Sequence, residues 1–292
     1  MEAFGTVASA LSVAALFNNC VNCFEYIQLG RHFARDYERC QLKVDVAKIR
    51  LSRWGQAIAI NDDPRFASYQ TEDESIQKIQ AILEEIEQLF QTLQKASKRY
   101  TIGAKQEDLE HLQPRAMKPV AQKLHSRLNK VVSQRQKGTS FAKKAAWALY
   151  DGKNFDKLIE QITGFVDDLE KLAPVDDVED VRRTLVEMEI EEVNDEPSLV
   201  ALQNAATDTD NDLTQVVTGR LEMLHKEKNY ARSIRGEESA RVRVGNEWTE
   251  AALSYRSGPA SQIWNEAESI AAKGTSAVHI GNSYGGGGIF DR

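Results

Sequence analysis

Sliding the chain on itself by 36 residues brings Asn229 onto Asn265, Ser233 onto Ser269, Ile234 onto Ile270, Val242 onto Val278, Val244 onto Ile280, Gly245 onto Gly281, Asn246 onto Asn282 and Trp248 onto Tyr284. Self-similarity at such a period marks units that stack on one another. Each unit, 229–248 and 265–284, holds an alternating run: Ala240-Arg241-Val242-Arg243-Val244-Gly245-Asn246 in the first and Ser276-Ala277-Val278-His279-Ile280-Gly281-Asn282 in the second. The two-residue period predicts a strand, and the Gly-Asn pair predicts a turn closing it. Charges at corresponding positions have opposite sign, Arg232 over Glu268 and Glu237 under Lys273. Units stacked in alternation therefore meet opposite charges above and below, while Asn229 with Asn265, and Asn246 with Asn282, form side-chain ladders.

Two such units are too few to stand alone. Four aliphatic side chains, Val242, Val244, Val278 and Ile280, do not offset the ordering entropy of roughly 40 residues, and a two-rung stack exposes unpaired strand edges on both sides. The tail is expected to be disordered in the monomer and to become a cross-β solenoid when other copies supply the missing rungs. The plainer alternative is a β-hairpin docked on the rest of the chain. Against it, the connection over residues 250–264, with Gly258-Pro259, is long for a hairpin loop. The closing Gly285-Gly286-Gly287-Gly288-Ile289-Phe290 lets Phe290 fold back over the last rung, or simply frays.

Before the tail the chain reads as helix. Of 17 glycines, seven precede residue 219 and ten follow from it. Ile76, Ile79, Leu83, Ile86, Phe90 and Leu93 recur at three- and four-residue spacing, and Phe155, Leu158, Ile159, Ile162, Phe165, Val166 and Leu169 repeat the pattern. Leu42, Val46 and Ile49 begin another stripe running past Trp54, and Leu213, Val216, Val217, Leu221 and Leu224 close the series near Lys228. Pro64, Pro114, Pro119, Pro174 and Pro197 fall between stripes, where they start or stop helices. The fold class expected is an all-α helical bundle over 1–228, followed by the repeat domain over 229–292.

Residues 3–24 carry no charge. As one helix that run would reach roughly 33 Å, about the hydrocarbon thickness of a bilayer. Asn18, Asn19 and Asn22 make it a weak membrane helix by hydropathy, and taken alone it reads as a core helix. No basic segment precedes it, which argues against a secretory signal. Cys20, Cys23 and Cys40 are too few and odd in number for a disulfide scaffold and suit a reducing, intracellular setting. Net charge is -7 with a pI near 5.4, which argues against a whole surface devoted to nucleic acid while leaving room for a local basic patch.

Further residues carry a family resemblance. The paired Val-x-Val/Ile-Gly-Asn units, the run Leu16-Phe-Asn-Asn-Cys20-Val-Asn-Cys23-Phe-Glu-Tyr-Ile-Gln-Leu-Gly-Arg31, Asp36-Tyr-Glu-Arg-Cys40 and Ala146-Trp-Ala-Leu-Tyr-Asp-Gly-Lys153 resemble the fungal HET-S/HET-s heterokaryon-incompatibility prion proteins over nearly the whole chain. The resemblance implies a helical HeLo domain and a prion-forming tail whose amyloid fold has two rungs per molecule. It implies a programmed-cell-death effector: templating of the tail releases the N-terminal helix, with Phe4, Leu11, Leu16, Phe17 and Phe24 entering the membrane as a pore-forming toxin. His32 stands where histidine accompanies the toxic type and proline the inactive one. Asn22 departs from the aspartate the resemblance implies, and Ser239 and Thr275 stand where the family can place a third ionic pair.

The partners so implied are other copies of the chain, an amyloid-templating partner of the same family or an NLR-type receptor, and membrane lipids on activation. The protein is expected in the cytoplasm, relocating to the cell membrane. The alternative is a non-toxic prion-type adaptor that passes on a self-templating signal. No acidic residue lies between Glu110 and Asp151, where Arg115, Lys118, Lys123, Arg127, Lys130, Arg135, Lys137, Lys143 and Lys144 fall. Two readings stand: attraction to anionic lipid, or an internal complement to the acidic stretch 167–196. Cys20-x-x-Cys23 lacks a second pair at zinc spacing and reads as core. Phosphate-loop, zinc-protease and serine-hydrolase motifs are missing, so no catalytic, cofactor or metal residue is assigned and no enzyme is expected.

Overall fold

The computed structural model describes residues 11–68, 72–136, 146–172, 176–226, 228–245, 247–248 and 264–284. The chain divides into two compact units, 1–218 and 219–292. Eight α-helices are described: α1 (Val13–Cys23), α2 (Tyr37–Ala57), α3 (Glu74–Gly103), α4 (Pro119–Arg135), α5 (Gly152–Leu172), α6 (Asp176–Glu189), α7 (Glu196–Ala206) and α8 (Asn211–Lys226). Their starts follow from capping chemistry. Ser12, Asp73 and Asp195 accept hydrogen bonds from first-turn amides of α1, α3 and α7, and Pro119 and Pro197 occupy first-turn positions whose amides need no helical partner.

The centre of the first unit is α2. Nearly every residue from Leu42 to Gly55 is buried, because the helix is wrapped by α1, α4, α5, α6 and α7. The apolar stripe of α3 is buried along its length and faces α1 and α5, as its spacing predicts. One feature departs from the helical reading. β1 (Ile27–Leu29) and β2 (Trp147–Leu149) form a parallel pair with Ile27 opposite Trp147 and Leu29 opposite Leu149. Three-residue strands are too short to show a period, and buried Trp147-Ala-Leu reads equally as the edge of a helix.

Gly55 of α2 meets α1 flush. A Cβ there would lie 2.1 Å from Cζ of Phe17. Gly55→Ala must therefore displace the Phe17 ring, an overpacking cost of about 1–3 kcal/mol. It is expected to lower the melting temperature by about 2–12 °C in a calorimetric scan.

Among the described residues the second unit holds eight short strands: β3 (Lys228–Ala231), β4 (Ile234–Gly236), β5 (Arg241–Arg243), β6 (Glu247–Trp248), β7 (Trp264–Ala267), β8 (Ile270–Ala272), β9 (Ala277–His279) and β10 (Ser283–Tyr284). They pair as β3 with β7, β4 with β8, β5 with β9 and β6 with β10, always parallel and always with the offset of the sequence repeat, so that Asn229 faces Asn265, Ile234 faces Ile270 and Val242 faces Val278. Each repeat is thus one winding of a solenoid laid on the other. The linker 249–263 lies outside the described residues.

Candidate functional site

The contact between rungs is made first by the backbone. Amides of Ile234, Lys273, Ala277 and Val244 donate to the carbonyls of Ser269, Gly236, Ala240 and His279 at 2.8–2.9 Å. Between them Val242, Val244, Val278 and Ile280 are half-buried. Asn229 donates through Nδ2 to Oδ1 of Asn265 at 2.9 Å, and Asn265 in turn reaches Oδ1 of Asn282 at 3.4 Å. Gly245 lies so close to Gly281 that a Cβ would be 2.2 Å from the Gly281 carbonyl oxygen. The asparagine and glycine positions of the repeat thereby meet in one stack. Asn246 and Phe290 fall outside the described residues.

The charge couples behave differently from each other. Arg232 approaches Glu268 at 3.9 Å with both side chains well exposed, a pair of small net worth in one molecule. Glu237 and Lys273 are not closed to ion-pair distance with each other among the described residues. The chain turns just beyond each of them, at Glu238 (φ 54°) and Gly274 (φ 70°), positions also 36 apart. This shared left-handed corner was missed in the sequence, although the Glu238-over-Gly274 alignment was its signal. Edge exposure is visible too: Ile234 is 5% exposed but Ile270 is 50% exposed. A groove of about 600 Å³ opens along the first repeat, lined by Asn229, Ser233, Ile234, Val242 and Val244 among others.

In the first unit the residues assigned to membrane entry are mostly packed away. Leu16, Phe17 and Phe24 are 2–4% exposed, whereas Leu11 is 41% exposed and Phe4 lies outside the described residues. Phe17 leans on Trp54 at 6.0 Å between ring centroids, and Phe24 meets Phe90 edge-on at 5.0 Å. The asparagines that weaken the run as a membrane helix fasten it here: Asn18 donates to Asn61 at 2.7 Å and Asn19 to Glu87 at 2.7 Å. Just after α1, Glu25 pairs with the buried ammonium of Lys48 at 3.2 Å. The seat is imperfect, since among the described residues Asn22 Nδ2 and Asn18 Oδ1 are buried without a hydrogen-bond partner, each costing about 1–3 kcal/mol. No described helix is long and apolar enough to cross a membrane. His32 is exposed in a short 3₁₀ turn, Arg31–Phe33. Cys20, Cys23 and Cys40 are buried thiols, with no disulfide among the described residues.

The basic run finds internal partners. Arg135 pairs with Glu189 at 2.7 Å, Arg127 with Glu192 and with the Glu189 carbonyl, and Lys118 with Glu38 at 3.9 Å. For Arg127 and Arg135 the complement to the acidic stretch is the arrangement observed, whereas Lys118 pairs outside it. Sequence reasoning missed a second set altogether. Arg53, 1% exposed, bridges Glu189 at 2.6 Å and Asp210 at 2.8 Å, both buried to 1% or less. Arg50 reaches Asp167, Glu170 and the Thr209 carbonyl at 2.6, 2.7 and 2.9 Å. The signal was present: Arg50 and Arg53 lie on the apolar stripe of α2, where an unpaired charge is untenable.

Burial pushes the Asp210 carboxyl up, but the Arg53 charge and hydrogen bonds, the Leu213 amide and Arg50 outweigh it and hold the group below the ordinary aspartate range. A folded-state value below the unfolded one means stability present above about pH 4 and lost as pH falls through the folded value. Unfolding curves of the full chain are expected to show a drop below about pH 4 that is smaller in Asp210→Asn.

With this geometry in view, the comparisons decide the family. HeLo, described as prion-inhibition and propagation, matches residues 5–202, and Het-s 218-289 matches residues 222–285. Heterokaryon incompatibility proteins s and S of Podospora anserina are each 52% identical to this chain over 99% of both lengths. The chain belongs to the HET-s/HET-S family. Two solved HET-s N-terminal domains cover 72% and 74% of this chain and 99% of their own, at 55% and 53% identity and TM-scores of 0.70 and 0.71. The first of these carries an aspartate-to-alanine and a proline-to-histidine substitution. HET-s/HET-S proteins are non-enzymatic prion or cell-death signalling proteins, and self-assembly goes with their prion domain. The helical unit and the repeat described above correspond to those two parts.

Proposed function

We propose that this chain is a toxic-type effector of heterokaryon incompatibility: templating of residues 229–292 into amyloid unseats α1 from the helical domain 1–228, and residues 3–24 enter the membrane and permeabilise it. The observation that carries the reading is the one-residue gap between α8, ending at Lys226, and β3, beginning at Lys228. In a polymer with two rungs per molecule, successive chains lie about 9.5 Å apart. A helical unit of this size has a radius of gyration of about 17 Å. Neighbouring helical units do not fit at that spacing on so short a tether, so the helices nearest the tail yield as the polymer grows. His32, standing at the position the resemblance links to toxicity, supports the toxic type.

On this reading the chain waits in the cytoplasm, and its template is another family member or an NLR-type receptor carrying a matching repeat. The membrane is its final partner. Full-length protein added to dye-loaded lipid vesicles is expected to cause leakage only with preformed fibre seeds. Removal of residues 1–24 is expected to abolish leakage while leaving seeded fibre growth intact. Leakage without seeds, or none with them, counts against the proposal.

A further inference from the structure

We infer that the grip of Arg50 and Arg53 on the turn between α7 and α8 is the restraint that keeps α1 seated; the inference rests on the proposed function and assigns its control to named residues. The turn is held twice. Arg50 donates to the Thr209 carbonyl at 2.9 Å, and Arg53 pairs with Asp210 at 2.8 Å. Asp208 within it takes a left-handed φ of 62°. Asp210 has a second duty as the cap of α8, accepting from the Leu213 amide at 3.1 Å through its side chain and from the Thr214 amide at 3.0 Å through its carbonyl. Any unwinding of the first turn of α8 therefore removes Asp210 from Arg53.

The other end of the coupling is covalent. Arg53, Trp54 and Gly55 are consecutive and point around α2 in steps of about 100°. Arg53 holds the α8 cap, Trp54 donates to the Leu169 carbonyl at 3.0 Å and touches Phe17, and Gly55 lies flush against the Phe17 ring. The start of α8 and the seat of α1 are thus fastened to adjoining residues of one helical turn. Charge makes the fastening cooperative. Arg53 and Arg135 balance Glu189 and Asp210 in a site where Arg53, Glu189 and Asp210 are 1% exposed or less. With Asp210 withdrawn, two guanidiniums face one carboxylate, and an uncompensated buried positive charge draws in water. The turn of α2 that rehydrates is the one against which Phe17 of α1 packs.

Asp210→Asn tests this in the full-length protein, because asparagine caps helices about as well as aspartate while removing the charge. Asp195→Asn, at the cap of α7, is the control for simple destabilisation. Amide exchange over residues 13–23 is expected to be at least about tenfold faster in Asp210→Asn than in Asp195→Asn, and vesicle leakage is expected to begin at a lower seed dose. Equal exchange over 13–23 in the two variants overturns the latch. A second measurement needs no variant: in wild-type protein at low denaturant, exchange over 13–23 and over 211–217 is expected to follow one opening transition, and two separate transitions overturn the proposal. Faster exchange without leakage at any seed dose upholds the latch and removes the toxin reading. Seeded leakage with unchanged exchange does the reverse.

Discussion

Gly245→Ala is expected to raise the soluble concentration left after seeded fibre growth by on the order of 100-fold. The added Cβ would stand 2.2 Å from the carbonyl oxygen and 2.6 Å from the carbonyl carbon of Gly281, both backbone atoms that no rotamer change can move aside. Nearby, Val244 donates to His279 at 2.9 Å, so the two rungs have no slack through which to separate. Strain of about 3 kcal/mol per added molecule is about two powers of ten in solubility. Gly219→Ala, where a Cβ meets nothing within 4 Å, is the matched control and should grow fibres like wild type. Thioflavin fluorescence with sedimentation measures both. Equal solubility of the two variants would mean that the rungs do not approach as described.

Arg53→Met is expected to lower the melting temperature of the helical unit by about 6–20 °C. Methionine fills much of the volume, but it leaves Asp210 and Glu189 as buried carboxylates with one cation fewer between them, and breaking such a set typically costs about 3–5 kcal/mol. Distance alone does not set this value. Arg65 pairs with Asp63 at the same 2.7 Å as the shortest of these contacts, to within 0.1 Å, yet Arg65 is 67% exposed, and Arg65→Met should shift melting by no more than about 2 °C. A differential scan of the two variants separates burial from proximity as the source of the effect.

How much of this was readable before the structure depended on the length scale of each signal. The pairing of Val242 with Val278 was legible because both rungs repeat the same local pattern, and a fixed offset needs no knowledge of the intervening linker. The burial of Ile76 to Leu93 was legible for the same reason, since three- and four-residue spacing reports one face of one helix. Arg53 with Asp210 was not, because the two lie 157 positions apart and only the packing of α2 against α6 and α7 brings them together. The aspartate reads as a helix cap and the arginine as a charge on an apolar stripe; each is half a signal. β1 with β2 failed for want of length, three residues each and 120 apart. The couple Glu237 and Lys273 was read from sign alone, and sign does not report the corner at Glu238 that sets where the side chains go.

The opposite signs of Arg232 and Glu268 have a consequence for copying. Backbone hydrogen bonds accept any strand in register, so an incoming molecule shifted by one rung would satisfy them as fully as a correct one. Charge distinguishes the two: at an end exposing Glu268 the correct addition sets arginine on glutamate, whereas the shifted one sets glutamate on glutamate. In the polymer of the proposed function, a contact of little worth to a single molecule would act at each growing end as a parity check, written in alternating sign rather than in the strands that carry it.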